Sequence, residues 1–215
     1  MSTAAAAEVS NPFFARVWTV MSAHETEVMT ALRRENLAGL SGRVLEIGAG
    51  TGTNFALYPD TVEQVVAVEP EPSLLVHARA AAAAAPVAVS VTGESAESIP
   101  VDVGPFDAIV CSLVLCTVDD PDSVVRQLFS RLKPGGELRY MEHVASAGWR
   151  ASVQRLADTT VWPRLFGNCH THRDTEQTIA KAGFTIDTAR HTWTMPKWLP
   201  LPVAEFTLGR AVKPV

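Results

Sequence analysis

Hydrophobic positions along this chain alternate between short apolar runs and longer segments with helical spacing. Five apolar runs bounded by turn residues predict strands, at 43–47, 64–69, 87–91, 106–111 and 137–144. Between them, segments that begin at Pro72 and at Asp120-Pro121 repeat apolar residues every three or four positions and predict helices. Strands that alternate with helices imply a mostly parallel sheet with right-handed crossovers.

The two ends of the chain add further elements to this sheet. Asn11-Pro12 is a helix start, and the spacing predicts one helix from there to about Leu37. Two late strands near 184–192 and 204–212 are joined by a Pro-rich loop too short for a crossover helix, so we expect an antiparallel pair at one edge. The pattern predicts a doubly wound, seven-stranded, Rossmann-like α/β fold with an antiparallel edge strand.

Length and composition favour one domain with a small-molecule ligand. The chain has 215 residues and a formal net charge of −5, with basic residues scattered, so no footprint for nucleic acid is visible. The three cysteines include no Cys-x-x-Cys pair, which favours free thiols and a cytoplasmic location. Residues 1–10 resemble no signal peptide, and we expect a flexible tail there followed by a single domain at 11–215. No pattern specifies an oligomeric state.

A glycine turn follows the first strand and indicates a nucleoside cofactor. Gly48, Gly50 and Gly52 let a ligand approach the main chain, and Glu69 closes the second strand, where an acid can accept both ribose hydroxyls. Glu46 lies beside the turn, where its negative charge would repel a pyrophosphate but suits an ammonium and a sulfonium. A purely structural turn is the alternative for the glycines alone, and a nicotinamide dehydrogenase fits Glu46 poorly.

This segment resembles motif I of the class I S-adenosylmethionine (SAM) methyltransferases. The elements Leu-Val-Leu-Cys at 113–116, Glu-His-Val at 142–144 and Gly-Asn-Cys-His at 167–170 are similar to the methyltransferase-like-7 thiol methyltransferases and their soluble bacterial relatives. The match runs from about Asn11 to Val212. The amino end lacks the hydrophobic membrane anchor of the animal members, so no membrane anchor is carried over.

The resemblance implies SAM as the cofactor and assigns residues to it. Glu46, Gly48 and Gly50 would hold the methionine moiety and ribose, and Glu69 the ribose hydroxyls. Pro70 would pack against the adenine, with Ser95 and Ala96 at its edge. The complete set of expected cofactor-binding residues is Glu46, Gly48, Ala49, Gly50, Asn54, Glu69, Pro70, Ser95, Ala96, Ser112 and Leu113.

Methyl transfer mainly needs alignment and a dry pocket, so aromatic residues near the expected site are candidate cover. Core packing is the alternative for each of them. The expected substrate-pocket residues are Phe13, Phe14, Trp18, Trp149, Trp162 and Phe166. We expect the first helix region, 11–40, to act as a lid over this pocket.

His143, at the tip of the fifth strand, is the first candidate base for the acceptor, and His170 is the second. Cys169, His170 and His172 invite a metal site, but three ligands within four residues and no clear fourth favour a hydrogen-bonded loop, so we expect no metal. Cys116 is expected to be a buried small hydrophobe.

The sequence thus predicts a SAM-dependent methyltransferase acting on a small apolar metabolite, with a thiol sulfur as the favoured acceptor. Oxygen or carbon methylation of an aromatic or quinone-like molecule is the rival chemistry. A SAM-binding module that has lost catalysis is the alternative from a different class.

Overall fold

A seven-stranded sheet forms the centre of the molecule in the computed structural model, which describes residues 11–100 and 103–215; the tail expected at 1–10 lies outside them. The strand order is β3-β2-β1-β4-β5-β7-β6. The strands are β1 (Gly42–Ile47), β2 (Val62–Val68), β3 (Ala88–Thr92), β4 (Phe106–Ser112), β5 (Leu132–His143), β6 (Thr185–Trp193) and β7 (Glu205–Val212).

Strand directions confirm the predicted fold class. Strands β1 to β5 pair in parallel, whereas β7 is antiparallel to both β5 and β6. The antiparallel strand β7 is therefore second from the edge of the sheet, and β6 is the edge strand. This is the Rossmann-like arrangement of parallel strands linked by helices, closed by an antiparallel hairpin.

Helices cover both faces of the sheet, and polar side chains cap several of their first turns. Asn11, Thr26, Asp120 and Asp174 each accept a hydrogen bond from a backbone N–H in the first turn of α1, α2, α4 and α7. The helices are α1 (Pro12–Ala23), α2 (Glu27–Leu37), α3 (Pro72–Ala83), α4 (Pro121–Arg131), α5 (Trp149–Asp158), α6 (Trp162–Leu165) and α7 (Thr175–Lys181).

The single helix predicted from Asn11 to about Leu37 is wrong, because the chain breaks into α1 and α2. Helix α1 ends at Ala23, and Thr26 starts a new helix by accepting a hydrogen bond from the Met29 N–H at 3.3 Å. The apolar spacing that suggested continuity is misleading, since Met21 and Val28 are 56% and 55% exposed. A local cap therefore outweighs a weak hydrophobic period.

Three apolar clusters form the core of the described residues, and the two largest both include residues of the central strands β1 and β4. Leu45 and Ile47 of β1 belong to the cluster that includes Val124 and Leu128 of α4. Val44 of β1 instead joins the cluster that includes helix α3. The alternation along β1 fixes the carboxyl end of this strand, and with it the glycine turn that follows.

Candidate active site

The candidate site lies where the chain direction reverses within the sheet. After β1 the chain builds β2 and β3 on one side, and then returns to place β4 on the other side of β1. The loops after β1 and β4 therefore diverge and leave a crevice at the carboxyl ends of the strands, which is where open α/β sheets bind ligands.

The glycine turn after β1 has a backbone that requires glycine. Gly48 and Gly50 have φ of 62° and 59°. A Cβ on Gly48 would lie 2.6 Å from a methyl group of Val114, and one on Gly50 would lie 2.8 Å from Trp18 Nε1. Val114 of the loop after β4 and Trp18 of helix α1 thus pack directly against the main chain of the turn, which only glycine allows.

Glu69, just beyond β2, presents a buried carboxylate to this turn. The Gly50 N–H donates to its Oε2 at 2.7 Å, and the Glu71 N–H donates to its Oε1 at 2.9 Å. Burial raises the pKa of Glu69 to about 7, against the lowering effect of these two backbone hydrogen bonds. Each carboxylate oxygen keeps a lone pair for a further donor, as a ribose-binding acid requires.

Glu46, near the end of β1, is held by neighbouring side chains. Tyr58 donates to Oε2 at 2.7 Å and Asn54 Nδ2 donates to Oε1 at 2.9 Å. Arg33 Nη1 in turn donates to Asn54 Oδ1 at 3.1 Å. Burial raises the pKa of Glu46 to about 7. This network ties α2 to the glycine turn, so Glu46 is a structural anchor as well as an expected cofactor residue.

The end of β4 carries a strained residue. Leu113 has φ of 64°, which is unfavourable for a residue with a branched side chain, and its N–H donates to the Met141 carbonyl at 2.8 Å. Ser112 is buried, and its Oγ accepts from Asn54 Nδ2 at 3.3 Å. The structure thus brings Ser112 and Asn54 together at the crevice, as the assigned roles require.

The loop after β3 supplies the remaining expected cofactor residues. Ala96 is buried in the same apolar cluster as Ile47 and Val68, at the ends of β1 and β2. The N–H of Ser95 donates to Ser98 Oγ at 2.8 Å. Ala49, in the turn itself, donates its N–H to the Val68 carbonyl at 3.0 Å. Pro70 follows Glu69 and is half-buried.

Helix α1 lies across the glycine turn. Trp18 contacts the turn at Gly50, and the Phe14 ring stacks on Trp18 with centroids 5.8 Å apart. The Asn11 N–H donates to Glu71 Oε2 at 2.8 Å, which fastens the start of the helix beside Glu69. Phe13, by contrast, is 59% exposed and points away from these contacts.

Of the other three expected pocket aromatics, two stack on each other and one is exposed. Trp162 and Phe166 stack with centroids 4.1 Å apart, and the adjoining Gly167 packs under the Phe14 ring. Trp149 is 53% exposed and stacks against Arg150 instead. Five of the six aromatics belong to α1 and the α6 region, and four of these five form the two stacked pairs.

His143 lies at the end of β5 and faces two cysteine sulfurs. Its Nδ1 is 3.6 Å from Cys116 Sγ and 3.6 Å from Cys169 Sγ. Hydrogen bonding from the Cys116 thiol, and then from His143, lowers the pKa of Cys169 to about 5, whereas the pKa of Cys116 is raised well above its usual value by Cys169 and burial. Cys116 is buried, as expected, but its pairing with Cys169 was not anticipated.

Two loops that carry these cysteines are tied together by hydrogen bonds. The His170 N–H donates to the Cys116 carbonyl at 2.8 Å, and Arg173 Nη1 donates to the carbonyls of Leu115 and Val118 at 2.6 and 2.7 Å. Glu142, fully buried, accepts from the Val114 and Cys116 N–H groups at 3.0 and 3.2 Å. These contacts fix the positions of both sulfurs.

The histidines beside Cys169 lie apart from His143. His170 lines a groove of about 570 Å³ with Asp158 and Asn168. His172 donates its N–H to Asp158 Oδ2 at 3.0 Å, and its ring contacts Arg155. The hydrogen-bonded loop expected here is present, whereas the residues that gather around a common point are Cys116, His143 and Cys169.

Sequence reasoning missed the supporting residues Arg33, Tyr58, Glu142 and Arg173. Glu142 could have been recognised in the sequence, because a carboxylate inside the apolar run 137–144 needs buried hydrogen-bond donors. The other three lie in segments whose polar residues look like ordinary surface positions. Their partners are set by the fold.

Comparison with known proteins identifies the family. The sequence profile described as a methyltransferase domain matches residues 45–140. Thiol S-methyltransferase TMT1B of Mus musculus is 32% identical over 205 residues, which cover 93% of this chain and 82% of that protein. The chain belongs to the class I SAM-dependent methyltransferases.

Two other matches bear on the range of this methyltransferase's relatives. A ubiquinone biosynthesis O-methyltransferase of Xanthomonas axonopodis is 35% identical over 97 residues, covering 45% of this chain and 41% of that protein. The solved N-methyltransferase NodS of Bradyrhizobium japonicum, in complex with S-adenosyl-L-homocysteine, has a TM-score of 0.63 at 16% identity, covering 95% of this chain and 89% of that chain. The second match shows the fold alone.

The residues at the crevice of this methyltransferase fit its cofactor. The glycine turn at Gly48 and Gly50, next to the spare acceptor capacity of Glu69, suits a nucleoside with two ribose hydroxyls. Of the helices formed by residues 11–100 and 103–215, none has both the length and the apolar character that a membrane crossing requires.

Proposed function

We propose that this methyltransferase transfers the methyl group of SAM to the sulfur of a small apolar thiol. The observation that carries the proposal is the extent of the match to TMT1B, which covers 93% of the chain. That match extends beyond the methyltransferase domain at 45–140 into regions that hold α1 and the loop of Cys169. The O-methyltransferase match covers less than half of the chain.

Aromatic cover at the crevice supports a soft, apolar acceptor. Phe14 and Trp18 of α1 meet the stacked pair Trp162 and Phe166, which together can exclude water. When a thiolate meets a sulfonium, the two charges cancel in the transition state, and a dry pocket favours that cancellation. The protein then contributes mainly alignment of the two reactants.

Bound SAM supplies an electrophilic methyl group. In the proposed reaction the acceptor sulfur forms a bond to the methyl carbon while the bond from that carbon to the sulfonium breaks. The acceptor thiol loses its proton, and the products are a thioether and S-adenosylhomocysteine. Glu69 and the glycine turn would hold the nucleoside, and Ser112 would offer its carbonyl to the ammonium.

Catalytic roles for His143 and His170 remain predictions. His143 uses Nδ1 toward the two cysteines, and no hydrogen bond from another described residue reaches its Nε2. His170 lines the open groove beside α6. We also retain as proposals the single domain at 11–215 and the lid formed by 11–40, with a cytoplasmic location.

Oxygen methylation of an aromatic or quinone-like molecule is the second candidate, favoured by the 35% identity to the Xanthomonas enzyme. A panel of small thiols, phenols and amines, assayed with methyl-labelled SAM, separates the two. We expect kcat/KM for the best apolar thiol to exceed that for the best phenol at least tenfold. Methylation of phenols without activity on any thiol would contradict the proposal.

A further inference from the structure

Three groups that bind soft metal ions converge on one point at the carboxyl edge of the sheet. The Sγ atoms of Cys116 and Cys169 and a ring nitrogen of His143 all lie within 4.8 Å of one another. They come from the loop after β4, the end of β5 and the segment after α6. Nothing in the proposed methyl transfer uses the two cysteines.

The spacing of these atoms suits a tetrahedral metal ion. With Zn–S bonds of about 2.3 Å and Zn–N bonds of about 2.0–2.1 Å, a tetrahedral angle puts sulfur and nitrogen about 3.6 Å apart. Both sulfurs lie 3.6 Å from His143 Nδ1. Small rotations of the side chains can complete the triangle, because the two cysteine-bearing loops are already adjacent.

The Cys116 thiol also hydrogen-bonds to Cys169, but Nδ1 of His143 cannot bond both sulfurs equally well. A neutral imidazole nitrogen either donates one hydrogen or accepts with one lone pair, so Nδ1 can satisfy one of the two sulfurs well. The second sulfur at the same distance has no comparable partner on that nitrogen. A metal ion at the centre would satisfy all three groups together.

Surrounding contacts hold the backbone of both cysteines and the ring of His143 in position. Glu142 accepts from the Cys116 N–H, and the His170 N–H donates to the Cys116 carbonyl. The Cys169 N–H closes a turn by donating to the Phe166 carbonyl at 3.0 Å. The ring of His143 packs edge-on against Phe206 at 4.6 Å, which fixes its orientation.

We propose that Cys116, His143 and Cys169 form a binding site for a soft divalent metal ion, with zinc as the expected occupant. Two thiolates and one imidazole are ligands that zinc prefers, and three protein ligands leave one tetrahedral position for water or another small ligand. In the metal-bound site both cysteines are thiolates, and any thiol proton still present is released to the buffer, so two negative charges balance the charge of the ion. From the sequence alone no metal is expected here, because the members of this set are 26 or more residues apart in the chain.

Cobalt titration of the full chain tests the proposal directly. The reduced protein, freed of metal with a chelator, is titrated with Co²⁺ alone while near-ultraviolet thiolate-to-cobalt absorption is followed. We expect one Co²⁺ per chain, displaced by Zn²⁺. Cys116→Ser and Cys169→Ser should each weaken Zn²⁺ binding at least a hundredfold, whereas Cys111→Ser, buried in β4 outside the cluster, should bind as the wild type does.

A second measurement covers variants that fail to fold. Alkylation of the wild-type protein, followed by mass spectrometry, should show Zn²⁺ slowing the modification of Cys116 and Cys169 at least tenfold. Absence of both the cobalt absorption and this protection would overturn the proposal. So would a reduced protein that takes up no metal but loses two thiols to oxidised glutathione, which would indicate a disulfide pair instead.

Discussion

Two buried glutamates with similar pKa values have different partners at the crevice. Glu46 accepts hydrogen bonds from the side chains of Tyr58 and Asn54. Glu69 accepts only from backbone N–H groups of Gly50 and Glu71 among its recorded hydrogen bonds. We therefore expect Glu69 to dominate the response of cofactor binding to pH, whereas both glutamates contribute to the pH dependence of folding.

Affinity for S-adenosylhomocysteine should rise with pH between about 6 and 8. Burial raises the pKa of Glu69 to about 7, and ribose hydroxyls donate best to its ionised form. Below that pKa the affinity should change by up to about tenfold per pH unit. Calorimetry on wild type, Glu69→Gln and the exposed control Glu63→Gln checks this. Equal pH profiles for wild type and Glu69→Gln would contradict the ribose assignment.

The free energy of unfolding of the ligand-free protein should fall as the pH rises, in part because of Glu46. Its pKa is about 7 when folded and near 4.5 when unfolded, so the folded state keeps a proton that the unfolded state has lost. This contribution is present at low pH and is lost as the pH rises from about 4.5 to 7, by up to about 1.4 kcal/mol per unit. Urea unfolding of wild type and Glu46→Gln should diverge in that window; parallel curves would refute the assignment.

Because the chain breaks between α1 and α2, the two helices make separate sets of contacts. Helix α2 holds the network of Glu46 through Arg33, whereas α1 crosses the glycine turn and meets the α6 region through Phe14. A continuous helix could not make both sets of contacts with the same axis. The cap at Thr26 is therefore part of how the site is built.

Removing the indole of Trp18 should loosen the cover over the cofactor. Trp18 lies against Gly50, and an indole that covers the bound nucleoside with an apolar area like that of a buried Leu or Phe contributes about 1.5–3 kcal/mol to binding, so we expect its removal to lower S-adenosylhomocysteine affinity tenfold or more. Calorimetry on Trp18→Ala checks this, with Trp198→Ala, 77% exposed, as the matched control. A folded Trp18→Ala protein with wild-type affinity would rule out the lid.

The link between the two cysteine-bearing loops should depend on Arg173. Arg173→Ala leaves the carbonyls of Leu115 and Val118 without their donor and should cost about 2–4 kcal/mol of unfolding free energy. Arg155→Ala, on the exposed face of α5, should cost little. Urea unfolding measures both, and equal stabilities would show that Arg173 does not hold the loops.

In the whole molecule, sequence patterns predicted the features that depend on residues close together in the chain. The alternation of apolar runs with helical spacing predicted the sheet, and the glycine turn with Glu69 predicted SAM as the cofactor. The cluster of Cys116, His143 and Cys169 could not be predicted, since only the topology of the sheet brings such distant positions together. The end of α1 was missed because a hydroxyl cap leaves a weaker signal than apolar spacing.

Sulfur is the proposed methyl acceptor, and a compound that carries both a thiol and a phenol tests this proposal within one molecule. A small aromatic compound with one thiol and one phenol group is incubated with the enzyme and deuteromethyl-labelled SAM, and the product is identified by mass spectrometry and NMR. We expect the labelled methyl group on sulfur, with the phenol unchanged. Label on the phenol oxygen with the thiol left free would contradict it.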